Sequence, residues 1–308
     1  MCRISTPDER ASWFIDAVKA MSQKMVLITG GAGHLGVSLC EAFQKKGFLV
    51  RVLVLPQDKR VSLLDPTIEV FYGDIQNPSE IEAAFKNVDL ICHLAAVLIS
   101  KDKEVFDKVN HKGTQNVVDL AKKYHLKKFI YVSSISVTYP SLTPYGKSKL
   151  LAEQVVQNSK IPYTILRPTL VKNGVEYLAF QTYVLKTPIL FLPLKGRAIK
   201  RPVLASDLAQ GIVEASVSYN TLNKTYALAG AKPYTLAEMA QNILIDFKRK
   251  KKIVLFPLFL CRLLVFFQLV FKRMKLKPEQ ALAGFIFDAN PSIEKAQKDF
   301  NYMPKSIF

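Results

Sequence analysis

Residues 25–36 constrain this chain more than any other stretch. Met25-Val26-Leu27-Ile28-Thr29 is an apolar run of strand length, and it leads directly into Gly30-Gly31-Ala32-Gly33-His34-Leu35-Gly36. Leu35, Leu39 and Phe43 then recur at helical spacing. The order is strand, glycine turn, helix. Gly31, Gly33 and Gly36 fit G-x-G-x-x-G, and Gly30, Gly33 and Gly36 fit G-x-x-G-x-x-G. Glycines let a backbone turn tightly and approach a pyrophosphate, which then rests on the helix N-terminus. Further apolar runs at 48–55, 68–72, 88–93, 129–132 and 163–166 alternate with helical patterns. That alternation implies an α/β fold with a doubly wound, Rossmann-type parallel sheet, whose ligands bind beyond the carboxyl ends of the strands.

A second stretch supplies chemistry. In Thr143-Pro144-Tyr145-Gly146-Lys147-Ser148-Lys149, Pro144 stops what precedes it and helix formers follow. Tyr145 and Lys149, at i and i+4, then share one helix face. Taken alone, such a pair is an ordinary feature of a solvated helix. Beside a dinucleotide site it has a use, because an ammonium favours phenolate over phenol and lets the tyrosine exchange a proton near neutral pH.

With both stretches in place, the chain resembles the extended short-chain dehydrogenase/reductase family, which includes NAD-dependent epimerase/dehydratases and 3β-hydroxysteroid dehydrogenase-like enzymes. The resemblance covers about 25–230 and rests on Thr29-Gly30-x-x-Gly33-x-x-Gly36, Gly73-Asp74-Ile75, His93-Leu94-Ala95-Ala96, Asn110-x-x-Gly113-Thr114, Tyr131-Val132-Ser133-Ser134, Tyr145-x-x-x-Lys149 and Arg167-Pro168-Thr169. It implies Ser134, Tyr145 and Lys149 as catalytic residues, with Ser133 and Ser136 as alternatives to Ser134. It places the dinucleotide on Gly30, Gly33, His34, Leu35, Gly36, Asp74, Ile75, Ala95, Ala96, Asn110, Tyr145, Lys149 and Pro168. Asn110 is expected to support Lys149 through water, and Lys149 to lower the Tyr145 pKa. His93 reads as a structural residue at a strand end.

NAD-preferring relatives usually carry an acid at the end of the second strand. Here Val54-Leu55-Pro56-Gln57 has none, and Asp58, Lys59 and Arg60 follow. This leans toward NADP, with Lys59 or Arg60 near the 2′-phosphate. Leu55, however, replaces the Arg often seen in NADP-preferring relatives, so NAD and NADP both stay open.

The expected division is an N-terminal extension over 1–24, an NAD(P)-binding domain over 25–171 and a smaller substrate lobe over 172–308. Trp13, Phe14, Ala17, Val18 and Met21 give the extension helical spacing. In the lobe, 201–205 reads as a short strand followed by a helix capped at Ser206-Asp207, and Thr235-Leu236-Ala237-Glu238 reads as a capping box. The apolar stretch 253–271 lies between Phe247-Lys248-Arg249-Lys250-Lys251-Lys252 and Lys272-Arg273. Arg262 at its middle, with Pro257 and Gln268, argues against a membrane span. A buried helix and a peripheral membrane contact remain, and the basic flanks favour contact with anionic lipid.

The chain has 308 residues, is 49% hydrophobic and carries a formal net charge of +18. That balance suits anionic partners, but no nucleic-acid motif is present. The four cysteines, Cys2, Cys40, Cys92 and Cys261, lack metal-ligand spacing. They read as reduced thiols of a cytoplasmic protein, and residues 1–24 lack the apolar core of a secretory signal. Homodimerisation through 102–124 and 145–160 is implied by family analogy only.

The leading functional expectation is hydride transfer at an alcohol or ketone carbon of a sugar-nucleotide, lipid-linked or sterol-like substrate, by an NAD(P)-dependent epimerase or dehydrogenase. Dehydratases carry an acidic pair beside the catalytic Ser/Thr, whereas Ile135-Ser136 follows Ser134 here. Related enzymes often continue with Tyr-Gly after the Arg-Pro segment. Leu170-Val171-Lys172-Asn173-Gly174 stands there instead, which weakens sugar recognition. The alternative is a non-catalytic dinucleotide-binding subunit of a membrane complex, a class that typically lacks the Tyr/Lys pair.

Overall fold

A computed structural model of the protein describes residues 24–193, 196–271, 280 and 282–308. The expected extension over 1–24 falls almost wholly outside these residues. Seven parallel strands form the main sheet: β1 (Met25–Thr29), β2 (Leu49–Val54), β3 (Glu69–Tyr72), β4 (Leu90–His93), β5 (Lys128–Val132), β6 (Tyr163–Pro168) and β9 (Lys224–Leu228). Their order is β3-β2-β1-β4-β5-β6-β9. The order reverses between β1 and β4, which opens a crevice beyond their carboxyl ends.

Both sheet faces are buried, so the strands read as nearly continuous apolar runs rather than alternating ones. On one face Val26, Ile28, Val52, Ile130 and Leu166 pack under α1 (His34–Lys45) and α6 (Ala205–Val217). On the other, Leu27, Ile91, Phe129, Tyr131 and Ile165 meet α3 (Gly113–Lys123) and α4 (Pro144–Gln157). The short α2 (Pro78–Ile81) begins with Pro at its first turn and tightens into a 3₁₀ turn over Glu82–Phe85.

The chain beyond 171 does not simply leave this unit. β9 pairs in register with β6, and α6 covers the same layer as α1. The lobe proper has its own core of Tyr177, Phe180, Val184, Leu192, Met239 and Ile243. It is built from α5 (Val175–Lys186), β7 (Leu190–Pro193), α7 (Leu236–Asp246), β11 (Ile253–Phe256) and α8 (Leu258–Phe271). Strand β11 pairs parallel with β7, while β8 (Ile199–Lys200) pairs antiparallel with β10 (Tyr234–Thr235). Two short helices, α9 (Ala283–Ile286) and α10 (Glu294–Phe300), close the chain.

Three local readings change. The long helix expected over 102–124 is a π-helix over Phe106–Lys112 that becomes α-helical at Gly113. Ser206 does not cap α6: its N-cap is Leu204, and Asp207 instead accepts from the Lys305 amide at 2.6 Å. The apolar stretch 253–271 splits at Pro257 into strand β11 and helix α8. The capping box at Thr235 and Glu238 is present with both of its reciprocal hydrogen bonds.

Candidate active site

The glycine turn is shaped as the motif requires. Gly30 has φ +74° and its amide donates to Leu53 O at 2.8 Å, in a left-handed conformation that favours glycine. A Cβ on Gly36 would stand 2.4 Å from Gly31 O, so helix and turn approach too closely for any side chain. Gly33 is the N-cap of α1 and no side chain caps it, which leaves backbone amides directed at the crevice. His34 is exposed and its Nε2 lies 3.1 Å from Lys172 O, while Leu35 packs against the sheet core.

Opposite the turn, Ala95 and Ala96 follow β4. The Ala95 amide donates to Thr29 Oγ1 at 3.2 Å, which pins this loop to the end of β1. His93 is fully buried between two threonines: Nδ1 lies 2.6 Å from Thr29 Oγ1 and Nε2 lies 2.9 Å from Thr114 Oγ1. Burial, then the charge of Lys149, pull its pKa down to about 3, so it is neutral and structural, as the sequence implies. Asp74 closes the turn after β3, accepting from the Gln76 amide at 2.9 Å and from Gln76 Nε2 at 3.0 Å. Ile75 is buried against Gly113. Pro168 ends β6 opposite Leu228.

Asn110 lies inside the π-turn. Its Oδ1 accepts from the Val97 amide at 2.8 Å, and its Nδ2 donates to Val97 O and to Ser148 Oγ, each at 3.0 Å. The side chain therefore fixes the loop after β4 to α4, and its hydrogen bonds are not directed at Lys149.

Helix α4 starts at Thr143, whose Oγ1 accepts from the Gly146 amide at 3.0 Å. This sets Tyr145 and Lys149 one turn apart, facing the end of β5. Lys149 is buried; its Nζ donates to Val132 O at 2.8 Å and lies 4.3 Å from the Tyr131 ring centroid. Ser134, the next strand-end residue but one, caps a 3₁₀ turn and shares a 2.9 Å hydrogen bond with Ser136. The Ser133 hydroxyl is buried without a hydrogen-bond partner among the described residues. Tyr145 is half-buried, with its ring edge-on to Phe106.

Tyr145 is raised far above the ordinary phenol range, first by desolvation and then by the charge of Glu176; a hydrogen bond with Ser134 opposes this. Lys149 is lowered to about 7 by burial, with Glu153 opposing. It is held by Val132 and Tyr131, and the stronger influences on the phenol are burial and Glu176.

Glu176, in the first turn of α5, was not distinguishable in the sequence as a site residue. An acid in a helix's first turn is common, and nothing local shows that this turn faces Tyr145. Although the residue is exposed, its carboxyl is desolvated enough to be pushed up, with Lys200 opposing. At the end of β2, Arg60 Nε and Nη2 grip Asp58 at 2.9 and 2.7 Å. The Arg60 charge is therefore offset in place, whereas the ammonium of the exposed Lys59 has no partner among the described residues.

These observations fit a dinucleotide: a glycine turn too tight for side chains, free amides at a helix N-terminus, and small residues opposite. Comparison with known proteins agrees. A family profile described as NAD(P)H-binding matches residues 30–214. The chain belongs to the NAD(P)H-binding family. The resemblance to the extended short-chain dehydrogenases/reductases stands with it. An uncharacterized protein of Sinorhizobium fredii is 27% identical over 92% of this chain and 75% of its own length. The ceramide reductase of Caulobacter vibrioides is 29% identical over 54% of this chain and 53% of its own. A sterol-4-alpha-carboxylate 3-dehydrogenase (decarboxylating) of Candida albicans is 30% identical over 48% and 50%. This NAD(P)H-binding chain thus spans about half the length of these two relatives with named activities. Among solved structures, the epimerase Mth375 of Methanothermobacter thermautotrophicus superposes with a TM-score of 0.74 at 22% identity, over 96% of this chain and 92% of its own, a likeness of fold.

Proposed function

We propose that the protein is an NAD(P)-dependent oxidoreductase that reduces a ketone, or oxidises the matching alcohol, on a lipid-like substrate. The observation that carries this reading is Tyr145: half-buried, kept protonated by its surroundings, hydrogen-bonded by Ser134, and placed one turn from Lys149 at the carboxyl end of β5.

Gly30, Gly33 and Gly36 would seat the pyrophosphate on α1, and Asp74, Ile75, Ala95, Ala96 and Pro168 would line the remainder of the dinucleotide. When bound, a reduced nicotinamide supplies the hydride for the carbonyl carbon. Ser134 orients the carbonyl oxygen. Tyr145 gives that oxygen its phenolic proton, leaving an alcohol. Lys149 offers its ammonium to the ribose and to the phenolate that results. The raised phenol pKa favours the direction in which Tyr145 starts with its proton, which is reduction.

Two features favour lipid over sugar-nucleotide. Curated relatives with named activities include a ceramide reductase and a sterol-4-alpha-carboxylate 3-dehydrogenase. The segment after Arg167-Pro168 also lacks the Tyr-Gly expected of many sugar-acting relatives. A sugar-nucleotide epimerase is the second reading, supported by solved neighbours such as the UDP-glucose 4-epimerase of Thermotoga maritima at 18% identity.

Identifying the dinucleotide released on denaturation separates the two. Retained, partly reduced NAD favours the epimerase; a protein that binds added NADH or NADPH reversibly favours the oxidoreductase. Tyr145→Phe should then lower turnover of a keto-lipid about 10²–10⁴-fold while dinucleotide affinity, read by fluorescence titration, stays at the wild-type value. Full activity in that variant would remove Tyr145 from the chemistry.

A further inference from the structure

Helix α8 reverses the usual arrangement of a surface helix. Its 14 residues, Leu258–Phe271, form an almost wholly apolar helix. Phe259, Leu263, Phe266 and Phe267 fall at i, i+4, i+7 and i+8, and so on one face. That face is the exposed one, at 68%, 49%, 51% and 50% of full accessibility. The opposite face, with Cys261 and Val265, is the more covered. Ordinary surface helices place charges outward; here three phenylalanines and a leucine stand there, with Arg262 at the edge.

The surroundings extend the apolar surface and charge its rim. Ile189, just before β7, and Phe191 within it are exposed, with Phe191 edge-on to Phe256 of β11 at 5.7 Å. Just before β11 comes the basic run. Lys251 is committed to the C-terminal end of α5, donating to Val184 O at 2.9 Å and Thr187 O at 2.7 Å, and also to Leu185 O. Lys248, Arg249, Lys250 and Lys252 remain exposed.

We infer that α8 and this basic run form a docking surface for an anionic lipid bilayer, with α8 lying in the plane of the membrane–water interface. No helix among the described residues is long and apolar enough to cross a membrane. At 1.5 Å per residue, α8 reaches about 21 Å against a hydrocarbon core of about 30 Å. Outward aromatics beside a cluster of cations match the two attractions of an interfacial element: apolar burial below the headgroups and charge at the phosphates. Charge selects this occupant over a second copy of the chain, which would bring a like-charged rim against this one, at a formal net charge of +18 per chain.

The test is sedimentation of the full chain with phosphatidylcholine vesicles, with and without phosphatidylglycerol. The wild type should pellet with the mixed vesicles, poorly with pure phosphatidylcholine, and less as salt rises. The triple variant Phe259→Ser/Phe266→Ser/Phe267→Ser should bind more weakly by about tenfold or more per side chain. The variant Lys248→Ala/Arg249→Ala/Lys250→Ala should lose about fivefold per charge and most of the salt dependence. Circular dichroism matching the wild type establishes that both variants fold. Failure of the wild type to pellet with anionic vesicles overturns the inference. So does a concentration-dependent dimer that the serine variant dissolves while vesicle binding is absent, because it assigns this face to a second copy. Pelleting does not depend on turnover, so the result stands apart from the proposed reaction.

Discussion

At the scale of residues, the site turns on which charges reach Tyr145. The spacing of Tyr145 and Lys149 was legible because both lie on one helix turn. The influence of Glu176 was not, because it reaches the phenol from another element, the first turn of α5. A pH dependence follows. Burial lowers Lys149 to about 7, so its ammonium is charged below that value and lost above it. Tyr145 keeps its proton throughout this range. Reduction that relies on the Lys149 charge should therefore decline as pH rises through about 7, without any contribution from Tyr145. In Lys149→Met the rate should be lower by about 10²-fold or more and that inflection should vanish from the pH–rate profile. An unchanged inflection in the variant would assign it to another group.

At the scale of elements, local rules located most of the fold. The strands of the main sheet are apolar runs, the glycine turn identifies the first crossover, and Thr235 and Glu238 announce α7 by chemistry confined to one turn. Failures came where distant partners decide. Asn110 sits in a π-turn braced by Val97 and Ser148, which no helical periodicity encodes. Lys128 is a sharper case. It sits in a core strand, yet its Nζ donates to Ala215 O at 2.8 Å, Ser218 O at 2.9 Å and Thr221 Oγ1 at 2.9 Å, closing the C-terminal end of α6 over β5. Burial lowers its pKa from 10.5 to about 8, with Cys92 opposing. Between those values the unfolded chain holds a proton that the folded one has released, so this group's contribution to stability rises with pH across that window. Relative to Lys128→Met, the wild type should gain stability from pH about 8 to about 10.5, by up to about 3 kcal/mol. Urea unfolding of both proteins across that range reads the difference, and parallel curves would show that Lys128 carries no such shift.

At the scale of the whole molecule, the last residues join what the sequence separates at 171. Phe300 and Tyr302 pack in the core of the main sheet, whereas Ile307 belongs to the core of the lobe. Between them the Lys305 amide donates to Asp207 at 2.6 Å, Ser306 meets Tyr234 at 2.8 Å, and Lys172 Nζ donates to Ile307 O at 2.7 Å. Lys172 also offers its backbone carbonyl to His34, on the first turn of α1, so the strap ends two contacts from the glycine turn. Tyr302 anchors it: its ring lies where a Cβ on Gly211 would approach within 2.6 Å, and its hydroxyl donates to Ala229 O at 3.1 Å. Ring packing and hydrogen bond make different demands. Tyr302→Phe keeps the packing and leaves one carbonyl without its donor, for a loss of about 1 kcal/mol. Tyr302→Ala leaves a cavity between sheet and α6, for a loss of about 3–5 kcal/mol. Because the strap leads to Lys172 and His34, the alanine variant should also bind dinucleotide more weakly, whereas the phenylalanine variant should not. Denaturant unfolding paired with dinucleotide titration tests both statements. A Tyr302→Ala protein that loses stability but keeps full dinucleotide affinity would show that the strap fastens the lobe without shaping the crevice.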